Sequence, residues 1–279
     1  MKPIAPSQRV QSQVMRRGAA SASLSVGARE APEETPVAFV YDGGAEAVML
    51  ATPADLEDFA VGFSMNEAII GSADEILELE IVRQDLGVEL RIWLAPARGE
   101  ALVRGRRRRA GPTGCGLCGV ESLADALPPP PVVASGFTIA AGRIVEAMAS
   151  LAPLQKLNLK TRAVHAAAFF TPTEGVVAIR EDVGRHNALD KLAGALARAG
   201  RSAADGVILM TSRVSVELVQ KAAAMGAPVL AAVSAPTALA LRTAEAAGIC
   251  VVGIVRDDGL EVFTHAGRLT GLEGDADAA

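Results

Sequence analysis

The chain has 279 residues, enough for one large or two modest domains, and half of them are hydrophobic, which excludes disorder along the whole length. Aromatic residues make up only 3% (7 Phe, 1 Trp, 1 Tyr), so the core must be aliphatic and closely packed. A net charge of −5 provides no overall field for a polyanion, so nucleic acid is not an expected partner and any anion site must be local.

The first 30 residues of the segment 1–33 carry Lys2, Arg9, Arg16, Arg17 and Arg29 against Glu30, with no apolar run after Arg16-Arg17. That pattern predicts a disordered tail rather than an export signal. Pro36–Tyr41 and Ala47–Leu50 read as strands around an Asp42-Gly43-Gly44 turn. A helix is expected next, with Thr52 as N-cap, Pro53 at its first position and an apolar face of Leu56, Phe59, Ala60 and Phe63. Ile76–Val82 is a further strand, and Val88, Leu90, Ile92 and Leu94 alternate with Glu89, Arg91 and Trp93 as the next one. Residues 34–127 thus read as a small, mainly β N-terminal subdomain.

Regularity fails over residues 96–122, where glycines and prolines interleave with Arg98, Arg104, Arg106, Arg107, Arg108 and Arg109, and with Cys115 and Cys118. A loop this long in a compact domain is functional or disordered. Pro128–Pro131 is a stiff joint, followed by an α/β domain over 132–270 and a second disordered tail over 271–279. Thr138 is expected to cap a helix running to about Leu151. Strands are expected at 163–170, 175–180, 206–211, 228–233, 249–255 and 260–264, and helices at 187–199, 214–225 and 236–247. The fold class is α/β in this half and α+β over the whole chain. The uncharged stretch Ala222–Leu241 is broken by Gly226, Pro228, Ser234, Pro236 and Thr237, so no membrane span is expected.

Within that half Ile208–Val229 aligns on Leu230–Val251, a repeat of strand, Ser-x-x-Ser/Thr, helix and Gly stop. It pairs Ser212 with Ser234 and Ser215 with Thr237. In parallel α/β sheets ligands sit beyond the carboxyl ends of the strands. Those ends present Ser212, Arg213, Ser234, Thr237 and Arg256, a set suited to phosphate, although hydroxyls there also serve as helix caps. Neither a P-loop nor a Gly-x-Gly-x-x-Gly fingerprint is present. The dense segment Arg180–Lys191 adds Glu181, Asp182, Arg185 and His186 as candidate site residues, with Asn187 as a plausible helix N-cap.

Gly114-Cys115-Gly116-Leu117-Cys118-Gly119 carries the sharpest chemistry. Three cysteines, odd and few, argue for a reducing cytosol. No second pair stands at zinc-like spacing, so no protein-bound metal is expected. The flanking glycines suit a mobile loop, and the arginines beside it favour a thiolate able to attack sulfane sulfur. Cys250, inside Ile249–Val252, reads as an inert core residue.

The chain resembles the formate dehydrogenase accessory sulfurtransferases, the FdhD family. The resemblance rests on Glu34–Ala38, Ala51–Phe63, Gly114–Gly119, Arg180–Lys191, Thr211–Arg213, Val219–Lys221 and Ser234–Thr237, and it spans about residues 34–269. It implies a cytoplasmic homodimer with a cytidine-deaminase-like α/β C-terminal domain. It also implies that Cys115 bears a persulfide, with Cys118 as helper. The sulfur would come from a cysteine desulfurase and pass to molybdenum (or tungsten) bis(molybdopterin guanine dinucleotide), bound as substrate, for the catalytic subunit of formate dehydrogenase. The guanine-dinucleotide segment maps onto Ile254, Val255, Arg256, Asp257, Asp258 and Gly259. Asp257 and Asp258 depart from the Gly/Arg-type turn of relatives, and acids beside an anionic ligand are unfavourable. The competing classes are a thiol–disulfide oxidoreductase and a non-catalytic cofactor-binding chaperone of formate dehydrogenase.

Overall fold

Alternation of inward and outward side chains builds the first sheet. The computed structural model describes residues 4–17, 22–99 and 129–272. After a hairpin of β1 (Ser7–Arg17) and β2 (Ala22–Pro32) come β3 (Thr35–Tyr41), β4 (Gly44–Ala51), α1 (Leu56–Asn66), β5 (Ile76–Gln84) and β6 (Gly87–Leu94). Strands β3 to β6 form one sheet in the order β4-β3-β6-β5, with β3 and β6 parallel. Val37, Phe39 and Tyr41 of β3 and Val88, Leu90, Ile92 and Leu94 of β6 point to one face, as the period of two requires. They close on Leu56, Phe59 and Phe63 of α1. Phe39 stacks on Phe63 at 4.0 Å and meets the edge of Phe59 at 5.0 Å.

The second half runs β7 (Ile139–Ala140), α2 (Ala141–Ala149), α3 (Lys156–Thr161), β8 (His165–Thr171), β9 (Gly175–Asp182), α4 (Arg185–Arg198), β10 (Val207–Met210), α5 (Val216–Ala224), β11 (Val229–Ala232), α6 (Ala238–Ala247), β12 (Cys250–Arg256), β13 (Gly259–Val262) and β14 (Leu269–Thr270). Its main sheet has the order β13-β12-β11-β10-β8-β9. Strands β10, β11 and β12 are mutually parallel, while β8, β9 and β13 run antiparallel to their neighbours. Helices α4, α5 and α6 cover one face through Leu189, Leu192, Leu218, Val219, Ala240 and Ala244. On the other face α2 packs Ile144, Ala147 and Met148 against Val207, Leu209 and Val229. Burial on both faces explains why β10 and β11 are unbroken apolar runs. Cys250 lies in this core, and burial pushes its thiol up to about 12.

Helices α1 and α4 join the two halves by direct backbone approach. A Cβ on Gly62 would stand 1.7 Å from the Asp190 carbonyl oxygen, and one on Gly194 only 1.9 Å from that of Asp58. Glycine is the sole residue that fits either place.

The strand bounds follow the sequence expectation closely, but several ends differ. Residues 7–17 and 22–32, expected as part of a disordered tail, form the paired strands β1 and β2, with Arg9 opposite Glu30. Arg29 anchors them by donating to the Thr161 carbonyl at 2.8 Å. A two-stranded ribbon leaves most of both faces in solvent, so it shows little apolar alternation. The second helix starts at Ala141 with Ala140 at its N-cap, because Ile139 and Ala140 pair with β14 and keep Thr138 outside the helix. Thr52 and Asn187 cap nothing: α1 begins at Leu56 after Asp55, and α4 at Arg185 after Gly184. The segment 100–128, with Cys115, Cys118 and the Arg106–Arg109 run, lies outside the described residues, as do residues 273–279 of the expected C-terminal tail.

Gly194→Ala is expected to lower stability by about 3 kcal/mol or more, because two backbones must separate. Gly142→Ala in α2, where a Cβ meets nothing within 4 Å, should leave stability unchanged or slightly higher. Urea unfolding of both variants checks this, and equal midpoints would refute the crossing as a constraint.

Candidate functional site

Asp182 ends β9 with a fully buried carboxylate. Its Oδ2 accepts from Lys191 Nζ at 2.6 Å and from the Thr52 N–H at 3.0 Å. Its Oδ1 accepts from the Gly184 N–H at 2.8 Å and Asn187 Nδ2 at 2.9 Å. Lys191 Nζ also donates to the Thr52 carbonyl at 2.8 Å and stands 5.4 Å over the Phe59 ring. The Thr52 hydroxyl accepts from the Val183 N–H, and Asn187 Nδ2 reaches the Leu50 carbonyl. This network bolts the β4–α1 connection onto the β9–α4 turn.

Two further ion pairs flank it along the α1–α4 crossing. Lys221 of α5 donates to both oxygens of Asp190 at 2.8 and 3.0 Å, and Asn66 donates to the same carboxylate at 2.7 Å. Burial alone would lower the Lys221 ammonium, but Asp190 and Glu67 carry it above the usual lysine range. Asp58 of α1 accepts from Arg180 at 2.7 Å and from Arg198. Each buried charge is thereby paired and hydrogen-bonded, as burial demands.

The strand ends form a separate edge. Because β10, β11 and β12 are parallel, their C-termini open on one side, where β8 begins and β9 ends. The loops after them interlock. Val214 bridges Pro236, Thr237 N–H donates to the Val214 carbonyl at 3.0 Å, and Ile254 N–H donates to Ser234 at 3.4 Å. Ile254 sits at φ 50°, in the bulge that turns β12 before Arg256. Arg256 donates to the Val233 and Val255 carbonyls. The turn Asp257-Asp258 is exposed, and Gly259 follows it into β13.

The structure thus gathers Ser212, Arg213, Ser234, Thr237 and the Ile254–Gly259 segment on the edge onto which Arg185 and His186 also open. It separates Glu181 and Asp182 from them. Adjacent strand residues point to opposite faces. Glu181 turns back to accept the Leu157 and Asn158 N–H groups at 2.8 Å and so caps α3, while Asp182 is consumed by the buried network. Both are therefore structural. Thr237 caps α6 through the Ala240 N–H at 3.2 Å. Its repeat partner Ser215 does not cap α5. Ser215 Oγ donates to Glu217 at 2.8 Å, and His186 Nε2 stands 3.3 Å from Ser215 Oγ and 3.1 Å from Glu217 Oε2. Burial, then Arg185, hold His186 below the usual histidine range against the pull of Glu217. Sequence reading took Thr52 for a helix cap and gave no site role to His165, Lys191, Glu217 or Lys221. A lysine among the apolar positions of α4 or α5 was the available signal for two of them.

A cleft of about 400 Å³ opens at the other end of α4, lined by Met65, Ile70, Leu196 and Met225 with Arg98 and Arg201. Both arginines are paired there, with Glu75 and Glu174. It offers no uncommitted arginine charge.

A mixed α/β layer with hydroxyls and arginines at its parallel strand ends, bolted to a smaller β subdomain, defines a two-part α/β protein. The chain matches the model of the FdhD/NarQ family over residues 32–270 and belongs to that family. It is 53% identical over 246 residues to the sulfur carrier protein FdhD of Agrobacterium fabrum, covering 88% of this chain and 91% of that one. The sulfur carrier protein FdhD of Brucella abortus is 50% identical over 242 residues, 86% of this chain and 90% of its own. A solved structure from Desulfotalea psychrophila, described as a formate dehydrogenase accessory protein, shares the fold with a TM-score of 0.71. The match covers 94% of this chain and 99% of that one at 22% identity.

Lys191→Met should cost about 3–5 kcal/mol by stranding the Asp182 carboxylate in the core. Adding Asp182→Asn should recover part of that loss, a coupling that a double-mutant cycle by urea unfolding measures. Additive losses would show that the two groups act independently.

Proposed function

We propose that the protein is a sulfur carrier serving formate dehydrogenase. The observation that carries this reading is its 53% identity, over nearly the full length of both chains, to a sulfur carrier protein FdhD. In this reading it acts in the cytoplasm as a homodimer, and its six-stranded sheet is the cytidine-deaminase-like part. The donor is a cysteine desulfurase. The acceptor is molybdenum bis(molybdopterin guanine dinucleotide), bound as substrate and passed on to the catalytic subunit of formate dehydrogenase.

The strand-end edge supports the acceptor half of the proposal. Hydroxyls of Ser234 and Thr237, with Arg185 and Arg213, suit the phosphates of a dinucleotide tail, while the buried Ser212 hydroxyl donates to the Arg213 carbonyl at 2.9 Å and shapes the loop. The exposed Asp257-Asp258 turn works against an anion there, and solvent screens it.

The chemistry assigned to Cys115 and Cys118 balances step by step, with a cellular thiol as the reductant that closes each cycle. The Cys115 thiolate attacks the outer sulfur of the desulfurase persulfide, a Cys115 S–S bond forms, and the desulfurase thiolate leaves. Attack of the Cys118 thiolate on the inner sulfur of the Cys115 persulfide then releases hydrosulfide and leaves a Cys115–Cys118 disulfide. The two electrons that reduce the sulfur come from the cysteine pair, which a cellular thiol must later reduce.

Incubation with a cysteine desulfurase and cysteine should add the mass of one sulfur to the Cys115 peptide, and Cys115→Ala should abolish both that adduct and formate dehydrogenase activation. Cys250, buried in β12, should stay unlabelled by iodoacetamide until the protein is unfolded. Full activation by the Cys115→Ala variant would overturn the carrier mechanism and favour a chaperone. A mixed disulfide with no sulfane sulfur would favour an oxidoreductase.

A further inference from the structure

The cleft at the far end of α4 belongs neither to the buried network nor to the strand-end edge, yet both halves of the chain build it. Ile70, Leu196 and Ala203 are its buried floor, and the half-buried Met65 and Met225 stand at its mouth. Methionine is unbranched and flexible, which suits a surface that receives apolar side chains from outside. Arg98 and Arg201 on the rim are committed to Glu75 and Glu174, so the cleft offers apolar contact rather than charge. Beside it α1 closes in a Schellman turn, where the Ala68 N–H donates to the Met65 carbonyl and the Ile69 N–H to that of Ser64. Ala68 holds φ 54° there, a conformation that favours glycine, and it lines the cleft.

The course of the chain says what covers this cleft. Arg98 lines it, and Gly99 is the last described residue before the segment 100–128 that carries Cys115 and Cys118. On the return side Ser135 Oγ donates to the Ala204 carbonyl at 3.0 Å, next to Ser202 and Ala203 of the lining. Val133 packs in the same core cluster as Leu196 and Ala203. The cysteine-bearing segment is therefore tethered to the borders of the cleft on both sides. Cys115 lies near the middle of the stretch between the tethers, so its reach is centred here. A protein that hands sulfur to Cys115 has to dock within that reach. A second cavity, of about 440 Å³ beside Leu154, Phe170 and Val176, is bordered by neither tether.

We infer that the cleft is the docking site of the sulfur donor, a protein that seats apolar side chains of an exposed segment between Met65 and Met225. The inference rests on the carrier reading and names where its donor, a cysteine desulfurase, binds.

Loading of Cys115 on the full chain, read as added sulfur mass over a range of concentrations of this protein, tests the site. One donor is a cysteine desulfurase with cysteine; the other is inorganic polysulfide, which needs no docking. Met225→Glu and Ala197→Glu each place a carboxylate at the cleft, where covering it with apolar groups is costly. Each should raise KM for loading by the desulfurase roughly tenfold or more with kcat unchanged, and each should load from polysulfide at the wild-type rate. Leu154→Glu, at the second cavity, should leave both routes unchanged. A rise in KM there as well would make the effect one of net charge and overturn the site. Unchanged KM in both cleft variants overturns it too. So does equal slowing from polysulfide, because the cleft would then seat the chain's own cysteine segment. If Met225→Glu melts early, Ala197→Glu carries the test alone. Wild-type protein that polysulfide loads and the desulfurase does not overturns the docking site and leaves the thiol chemistry of the carrier standing. Wild-type protein that neither donor loads overturns the carrier reading itself.

Discussion

The close approach of α1 and α4 at Gly62 and Gly194 is the constraint on which the rest of the structure depends. With no side chain between them, two helix backbones come near enough for the polar groups beside the crossing to meet. Asp182 with Lys191, Asp190 with Lys221, and Asp58 with Arg180 and Arg198 are all arrayed around it. Charges buried in this way add little stability over apolar residues of the same shape, but they admit only one arrangement of their partners. The result is a fixed relation between the β subdomain and the sheet that carries the strand-end edge.

That arrangement divides the dense Arg180–Lys191 segment into two jobs. Arg180, Asp182, Asn187, Asp190 and Lys191 look inward and hold the halves together, and Glu181 caps α3. Arg185 and His186, at the start of α4, are left for the edge. Residues that crowd together in sequence are thus not one site but a boundary between scaffold and chemistry, and the first turn of α4 is where the boundary runs.

Period-two and period-3.6 patterns made the elements legible. The alternation through Val88, Leu90, Ile92 and Leu94 and the apolar face of Leu56, Phe59 and Phe63 both appear as expected. The 22-residue repeat correctly brought Ser212, Ser234 and Thr237 to one edge. Local pattern failed where a polar side chain serves a distant partner. Thr52 and Asn187 have the chemistry of helix caps, but the Thr52 hydroxyl is claimed by the Val183 N–H, 131 positions away, and the Asn187 amide by Asp182. Glu181 was misplaced although strand geometry alone forbids it from sharing a face with Asp182. The β1–β2 hairpin was invisible because charge stands on both of its strands, as in the Arg9–Glu30 pair. Cys115 and Cys118 were the most legible chemistry in the chain, and they lie in the segment outside the described residues.

The span of the contacts that secure Thr52 also bears on how the protein is made. A ribosome delivers α1 well over a hundred residues before α4, so the apolar face that α1 turns to its partner helix must wait. During that interval the nascent chain holds half of a polar lock with nothing to close on. Pairings this far apart in sequence form slowly, because loop entropy is lost before any contact rewards it. Maturation of the N-terminal half is therefore gated by synthesis of the C-terminal half, and a chain released before Lys221 emerges leaves a substrate for chaperones and proteases rather than a working fragment.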